Sequence, residues 1–379
     1  MSVVPALLAA SRLWRDAGGG LDLVKHLSIV LERTDENVRT TAMGGFRRVL
    51  VTAGMVALAA FGCWSWYRRW LRLRTEIASS DSSIVSTRLG QVEYGVRGDG
   101  PVVLHFHGGN VGHNGWFFLE HLVKTGYQVL TPDRPGYLGT PIENGGTPTE
   151  QADLAAALLD TLGIDRVAVV GLSAGGPGAI QFAARHADRV DALVLLSAIS
   201  QRTGLSEDQT GSALGRLVMT PRFQNVAYCL IFQSMHRLTA STLQGWVKTE
   251  TTYDKATGKA LIGKILADPD QKGYVLAMAD AMVPALPRFP GVGNDLTVQQ
   301  KLDELPLGEV GAPTLIVGSR NDGDIGYENS VNSHDKIANS TLITVEQFGH
   351  FIWWGDPSVT REFETRIEEF LAQHVPAAT

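Results

Sequence analysis

Only two of the 379 residues are cysteines, Cys63 and Cys229, so the chain cannot form a disulfide framework or a cysteine-rich zinc site. An excess of basic residues is also missing, because 33 Lys and Arg stand against 39 Asp and Glu and the formal net charge is −6. A surface that neutralises phosphates needs positive charge, and this balance predicts no nucleic-acid partner. A wholly disordered chain is excluded by a hydrophobic content of 44%, which is enough for a large buried core.

The charge is divided unevenly along the chain. Residues 1–80 contain 11 Lys and Arg against 6 Asp and Glu, whereas the remaining residues contain 22 against 33. Within the basic part, residues 49–67 form a run of 19 residues without a charged side chain. As a helix this run would measure about 28 Å, which is close to the hydrocarbon thickness of a bilayer. We therefore expect a single-pass transmembrane helix at residues 49–67, with a buried or dimer-forming helix as the alternative.

The residues that flank this run support a retained membrane anchor. Trp64, Trp66, Tyr67 and Trp70 cluster at its C-terminal end, where aromatic rings favour the headgroup level. About 48 residues precede the run, which is too many for a cleavable signal peptide. Four arginines follow the run closely and three precede it, and this small difference favours a cytoplasmic C-terminal part.

Beyond the anchor, short β-rich runs alternate with helical segments. The expected strands are 102–106, 128–130, 167–170, 192–196, 314–317 and 342–345, and the expected helices include 116–124 and 150–162, the second with Thr149 as its cap candidate. Strands separated by helices indicate a mostly parallel sheet flanked by helices, which is the α/β class. The interval 201–297 lacks strand signals and is too long for a loop, so we expect it to be a helical lid. The remaining domains expected are an N-terminal helical segment (1–48), a linker (68–83) and the two parts of the α/β core (84–200 and 298–379).

The motif Gly171-Leu172-Ser173-Ala174-Gly175 carries the first chemical signal. It follows the apolar run 166–170 directly and opens into a predicted helix, which is the strand, turn and helix setting of a nucleophile elbow. Glycines are needed in such a turn because neighbouring Cβ atoms would collide. This context predicts that Ser173 is a nucleophile.

A serine hydroxyl needs a base and an acid to become reactive, and both are available further along the chain. His350 lies in a loop just after the predicted strand 342–345, so it is the best candidate base among the 10 histidines. Asp322 and Asp324 follow the predicted strand 314–317, and the residues alone leave the choice of acid open. For the oxyanion, the sequence offers the amide of Ala174 and a second amide from Gly109 or Asn110.

With these features the chain resembles the α/β-hydrolase superfamily over about residues 84–373. This resemblance implies the chain order Ser173, Asp322, His350, with Asp322 favoured because Arg320-Asn321-Asp322 is similar to a frequent R-D-D pattern. The resemblance rests on His107-Gly108-Gly109, Asp133-Arg134-Pro135-Gly136-Tyr137, Gly171 to Gly176, the Asp322 region and Gly349-His350.

The D-R-P-G-Y turn is similar to a branch that includes epoxide hydrolases, haloalkane dehalogenases, proline iminopeptidases, C–C hydrolases and small esterases. The first two use an aspartate nucleophile, so Ser173 disfavours their activities. Asn110 replaces the proline of the H-G-G-P-G loop found in proline iminopeptidases. The expectation is therefore a membrane-anchored serine esterase of small molecules that requires no metal or organic cofactor. Amide, C–C or thioester hydrolysis and an inactive binding protein are the alternatives, and the oligomeric state stays open.

Overall fold

A computed structural model describes residues 42–204 and 220–376. Most of the expected N-terminal helical segment 1–48 and residues 205–219 of the expected lid lie outside the described residues. The chain divides into two compact units, Met1–Leu73 and Arg74–Thr379.

Helix α1 (Ala42–Ser79) contains the uncharged run that the sequence identified. Within it, Val49–Ser79 is long and apolar enough to cross a membrane, and the most apolar stretch is not buried inside the structure. Helix α1 continues to Ser79, so most of the segment 68–83 that was expected as a linker is helical. Arg68, Arg69 and Arg72 belong to the helix rather than to a coil, since arginine is a good helix former.

The second unit is built on one eight-stranded sheet with the order β1-β2-β4-β3-β5-β6-β7-β8. The pairs β1–β2 and β2–β4 are antiparallel, and all other neighbouring strands are parallel. The α/β prediction is therefore confirmed, although β1 and β2 were not anticipated. The strands are β1 (Ser83–Thr87), β2 (Gly90–Arg97), β3 (Val102–Phe106), β4 (Gln128–Pro132), β5 (Val167–Leu172), β6 (Val190–Leu196), β7 (Thr314–Ser319) and β8 (Ser340–Val345).

Helices cover both faces of the sheet because its central strands are apolar on both sides. In β5, Val167 and Val169 belong to one buried cluster, whereas Ala168 and Val170 belong to the other. This alternation follows from the two-residue period of a strand. The helices of the core are α2 (Glu120–Lys124), α3 (Pro148–Leu162), α4 (Gly176–Arg185), α10 (Glu328–Lys336) and α11 (Pro357–His374).

The beginnings of two core helices differ from the sequence expectation. Helix α3 is capped by Thr147, whose Oγ1 accepts the amide of Glu150 at 3.2 Å while the Glu150 carboxylate accepts the Thr147 amide at 2.9 Å. This reciprocal capping box satisfies two helix-start amides. The segment expected as one helix over 116–124 is a 3₁₀ helix (His113–Leu119) followed by the short α2.

The insertion after β6 is helical in its described part. Its last helix, Phe289–Lys301, spans the boundary expected at residue 297. Pro290 in the first turn fits a helix start, because its missing amide has no intrahelical partner to lose. The helices are α5 (Pro221–Arg237), α6 (Thr239–Glu250), α7 (Lys255–Ala267), α8 (Pro269–Ala281) and α9 (Phe289–Lys301).

Candidate active site

Ser173 lies in the sharp turn between β5 and α4, at the carboxyl end of a central strand. Its backbone φ is +50°, in the left-handed region that residues with a Cβ atom rarely adopt. Gly175 makes the turn possible, because a Cβ atom there would lie 2.1 Å from the carbonyl oxygen of Phe106. The carbonyl of Ser173 accepts the amide of Ile199 at 3.0 Å. The motif therefore presents a half-buried serine on a constrained turn.

Loops after the last two strands bring a histidine and an aspartate to this serine. His350 follows β8, and its Nε2 lies 2.9 Å from the Oγ of Ser173. Asp322 follows β7, and its Oδ2 lies 2.9 Å from the Nδ1 of His350. Both distances are those of good hydrogen bonds. The three residues form one continuous chain from carboxylate to imidazole to hydroxyl.

The two candidate aspartates occupy different places in the turn after β7. Asp322 is buried, and its Oδ1 accepts the amides of Asp324 and Ile325 at 3.0 and 3.1 Å. Burial by itself would raise the pKa of Asp322, but His350 and these amides hold the pKa below its usual value. The Oδ2 of Asp324 lies 3.7 Å from the Nε2 of His350, beyond hydrogen-bond distance.

Glu250, at the end of α6, is a third carboxylate beside His350 that the sequence did not reveal. Burial and then the charge of Asp324 raise the pKa of Glu250 to about 7. Burial alone would lower the pKa of His350, but Asp322, Asp324 and Glu250 together raise it above the usual value. A histidine in this position holds a proton more tightly than one in water.

The backbone that follows α6 is hydrogen-bonded to both loops. The carbonyl of Glu250 accepts the amide of His350 at 2.9 Å and the amide of Gly323 at 3.1 Å, and Thr252 donates its amide to Asn321 at 3.0 Å. A Cβ atom on Gly349 would lie 2.0 Å from that same carbonyl, so the approach needs glycine. The insertion thus holds the loops of Asp322 and His350 together.

The loop after β3 passes alongside the serine. A Cβ atom built on Gly108 would lie 3.4 Å from the Cβ of Ser173. Asn110 adopts a left-handed φ of +63°, and its Oδ1 accepts a hydrogen bond from the hydroxyl of Tyr228 at 2.6 Å. The candidate oxyanion residues Gly109 and Ala174 therefore lie in two backbone segments that meet at Ser173.

A buried group of polar residues elsewhere in the domain has ligand-like spacing. One possible ligand atom from each of Glu93, His113 and Asp133 lies within 4.8 Å of the others. Asp133 already accepts the amide of His113 at 2.5 Å and lies 2.9 Å from its Nδ1, and Glu93 accepts the amide of Gly139 at 2.6 Å. The buried Arg288 interacts electrostatically with both carboxylates. These contacts favour an internal polar network over a cation site.

Known proteins resemble this chain in the region of the sheet and the site. A profile of the α/β hydrolase fold matches residues 101–357. The solved structure of an α/β hydrolase fold protein from Nakamurella multipartita is 34% identical, superimposes with a TM-score of 0.66, and covers 77% of this chain and 99% of that chain.

Two bacterial relatives extend this similarity at lower identity. An uncharacterized hydrolase of Bacillus subtilis, YcgS, is 27% identical over 266 residues, which are 70% of this chain and 90% of that protein. The 2-hydroxy-6-oxononadienedioate/2-hydroxy-6-oxononatrienedioate hydrolase of Klebsiella pneumoniae is 26% identical over 286 residues, 73% of this chain and 89% of that protein. With the profile match over most of the described domain, the chain belongs to the α/β-hydrolase family.

Proposed function

We propose that the protein is a serine hydrolase that cleaves carboxylic esters through an acyl-enzyme on Ser173. The observation that carries this proposal is the chain of two 2.9 Å contacts from Asp322 through His350 to Ser173. Such an arrangement gives a serine hydroxyl a base, and gives the base a fixed tautomer. The proposed substrate is a small molecule, because the Klebsiella pneumoniae relative is named for the hydrolysis of a small molecule and the net charge of −6 does not favour a nucleic acid.

Each residue has a separate step in the proposed reaction. The Oγ of Ser173 attacks the acyl carbon while the Nε2 of His350 accepts its proton, and Asp322 stabilises the resulting imidazolium. The amides of Ala174 and Gly109 donate to the oxyanion. His350 then gives its proton to the departing alcohol and later activates the water that releases the acid.

Hydrolysis of a carbon–carbon bond by the same three residues is the second candidate. It is favoured by the similarity to the Klebsiella pneumoniae hydrolase, whose name describes a dicarboxylate substrate. Asp322, Asp324 and Glu250 surround His350 with negative charge, and like charges repel a dianionic compound. This electrostatic environment favours a neutral ester. Comparing the turnover of p-nitrophenyl esters with the turnover of a dienedioate substrate distinguishes the two activities.

Replacing the proposed nucleophile tests the function directly. Ser173→Ala should reduce ester turnover by several orders of magnitude, because the covalent intermediate can no longer form. It should also abolish labelling by a fluorophosphonate, measured on the intact protein by mass spectrometry. Ser197→Ala is the matched control, since Ser197 is a buried serine with a φ of +41° just after β6. Equal labelling of the Ser173→Ala variant and the native chain would refute the assignment.

The two aspartates should respond differently to loss of charge. Asp322→Asn should lower kcat by about 10⁴-fold at every pH, because the amide no longer holds the reactive tautomer of His350. Asp324→Asn should retain most of kcat at alkaline pH, since Asp324 lies beyond hydrogen-bond distance of the ring. Turnover of p-nitrophenyl butyrate measured on the alkaline plateau compares the two variants. A larger loss in Asp324→Asn would assign the acid to Asp324.

Removing the charge of Glu250 should shift the pH dependence of hydrolysis. Asp322, Asp324 and Glu250 stabilise the protonated form of His350, which cannot act as a base. Glu250→Gln lowers the pKa of His350, so the rising limb of kcat/KM should move to lower pH by roughly half a pH unit to one pH unit. The plateau should change little. A limb that stays in place, or moves to higher pH, would contradict the electrostatic role of Glu250.

We also propose that residues 49–67 of α1 anchor the protein in a membrane as a single span. The full chain should sediment with membranes and resist carbonate and high salt, because about 20 apolar residues suffice to span the hydrocarbon core. A chain that begins at Arg74 should be released from the membrane fraction. It keeps the Arg74–Asp280 ion pair at 2.8 Å and the packing of Arg74 on Phe232 at 4.2 Å. Release of the full chain by carbonate would show that the run is not a transmembrane helix.

A further inference from the structure

Arg134, in the turn after β4, donates hydrogen bonds to the backbone of the loop that follows β3. Its Nε donates to the carbonyl of His107 at 2.8 Å, and its Nη2 donates to the carbonyl of Gly108 at 3.3 Å. Its backbone amide donates to the Nε2 of His107 at 3.0 Å. Arg134 itself is 3% exposed. This buried arginine therefore binds a short segment of backbone at His107 and Gly108.

These bonds also fix the tautomer of His107. Because Nε2 accepts the Arg134 amide, the ring proton must lie on Nδ1, which is 2.7 Å from the carbonyl oxygen of Gly108. Burial and then the charge of Arg134 keep the pKa of His107 well below its usual value, so the ring stays neutral. The Gly108 carbonyl thus accepts two hydrogen bonds, from His107 and from Arg134.

The orientation of this carbonyl determines the orientation of a candidate oxyanion donor. The carbonyl of Gly108 and the amide of Gly109 belong to the same planar peptide, and in a trans peptide they point in opposite directions. With its oxygen held by Arg134 and His107, the peptide directs the Gly109 N–H away from both. A Cβ atom built on Gly108 would lie 3.4 Å from the Cβ of Ser173, so this peptide runs beside the serine. Glycine would otherwise let this peptide rotate easily.

Asp295, on α9, holds the arginine in turn. Its carboxylate forms a bidentate pair with Arg134, with N–O distances of 2.6 and 2.7 Å, and accepts the hydroxyl of Tyr137 at 2.5 Å. A Cβ atom on Gly109 would lie 3.9 Å from Asp295 Oδ2, so the carboxylate is beside the loop. A bidentate pair fixes the plane of the guanidinium as well as its position.

We propose that Arg134 and Asp295 are positioning residues for the oxyanion site, holding the Gly108–Gly109 peptide so that the Gly109 amide faces the reacting carbonyl oxygen at Ser173. This inference rests on the proposed serine hydrolase reaction. It links the reaction to α9, the last helix of the insertion. Neither side chain touches the substrate, and each acts through the backbone of the loop.

The test measures oxyanion stabilisation separately from substrate binding and folding. Asp295→Asn loses the bidentate pair but keeps the shape of the side chain, and Arg134→Lys keeps the charge but loses the planar fork. Asp191→Asn is the matched control, because Asp191 is 8% exposed and paired with Arg166 at 2.6 Å, compared with 11% for Asp295. Asp191 lies near the start of β6, whereas Ser173 follows the carboxyl end of β5.

Two probes report on the site in the full-length variants. The first is kcat and KM for p-nitrophenyl butyrate, and the second is inhibition by an alkyl trifluoromethyl ketone. The Ser173 Oγ adds to the ketone carbon, its proton passes to His350, and the former ketone oxygen becomes an oxyanion. Thermal unfolding measures whether each variant is folded.

Asp295→Asn and Arg134→Lys should lower kcat by about 10- to 100-fold, which is less than the loss of a whole oxyanion donor because the amide is displaced rather than removed. The ketone inhibition constant should rise by a similar factor, and KM should change by less than about threefold, because ground-state binding does not use the oxyanion. Asp191→Asn should change neither probe.

A folded Asp295→Asn variant with kcat and ketone inhibition within about twofold of the native chain would overturn the inference. If Asp295→Asn does not fold, Tyr137→Phe removes one hydrogen bond to the same carboxylate and should weaken both probes several-fold. An unchanged kcat and an unchanged ketone inhibition constant in Tyr137→Phe would also overturn the inference. If the native chain itself neither turns over the ester nor binds the ketone, the proposed function fails and this inference fails with it.

Discussion

The left-handed turn at Ser173 is the constraint around which the rest of the site is arranged. A residue with a Cβ atom at this φ costs on the order of 1–3 kcal/mol, and it persists only where its surroundings fix it. Here β5 enters the turn fully buried, the Ile199 amide binds the Ser173 carbonyl, and Gly175 lets the Phe106 backbone approach. The strain is thus balanced by packing in the centre of the sheet, and the side chain is held in one direction.

The helical insertion and the helix that ends it contribute to the site from two directions. The segment after α6 binds both the Asp322 and the His350 loops through its backbone, and Glu250 adds negative charge beside His350. Asp295 on α9 reaches the loop after β3 through Arg134. A segment whose described part contains no strand of the sheet therefore helps to place the side chains of the proposed triad and the backbone of the proposed oxyanion site. An exchange of this insertion between relatives would therefore alter the placement of the proposed catalytic groups.

The fold could be predicted from the sequence because its signals are local. Apolar runs bounded by helical segments located the six strands β3 to β8, and the 19 uncharged residues located the centre of α1. The strands β1 and β2 were missed because their hydrophobic signal is weak: β1 lies at the sheet edge with no buried residue, and β2 contains Gly90 and Gly95. The sequence did not indicate that the expected linker would be helical as far as Ser79, although arginine is a good helix former.

The sequence by itself determined the family, the strand-turn-helix setting of Ser173 and the loops that hold His350 and the two aspartates, because the ends of parallel strands meet at one edge of a sheet. Only the tertiary structure distinguishes the surroundings of the two aspartates, since they are two residues apart and Asp322 lies 2.9 Å from the Nδ1 of His350 whereas Asp324 lies 3.7 Å from its Nε2. The same holds for Glu250 and Asp295. Their helices carry no motif, and their distances to the site depend on how the chain between β6 and β7 packs against the sheet, which no local pattern encodes.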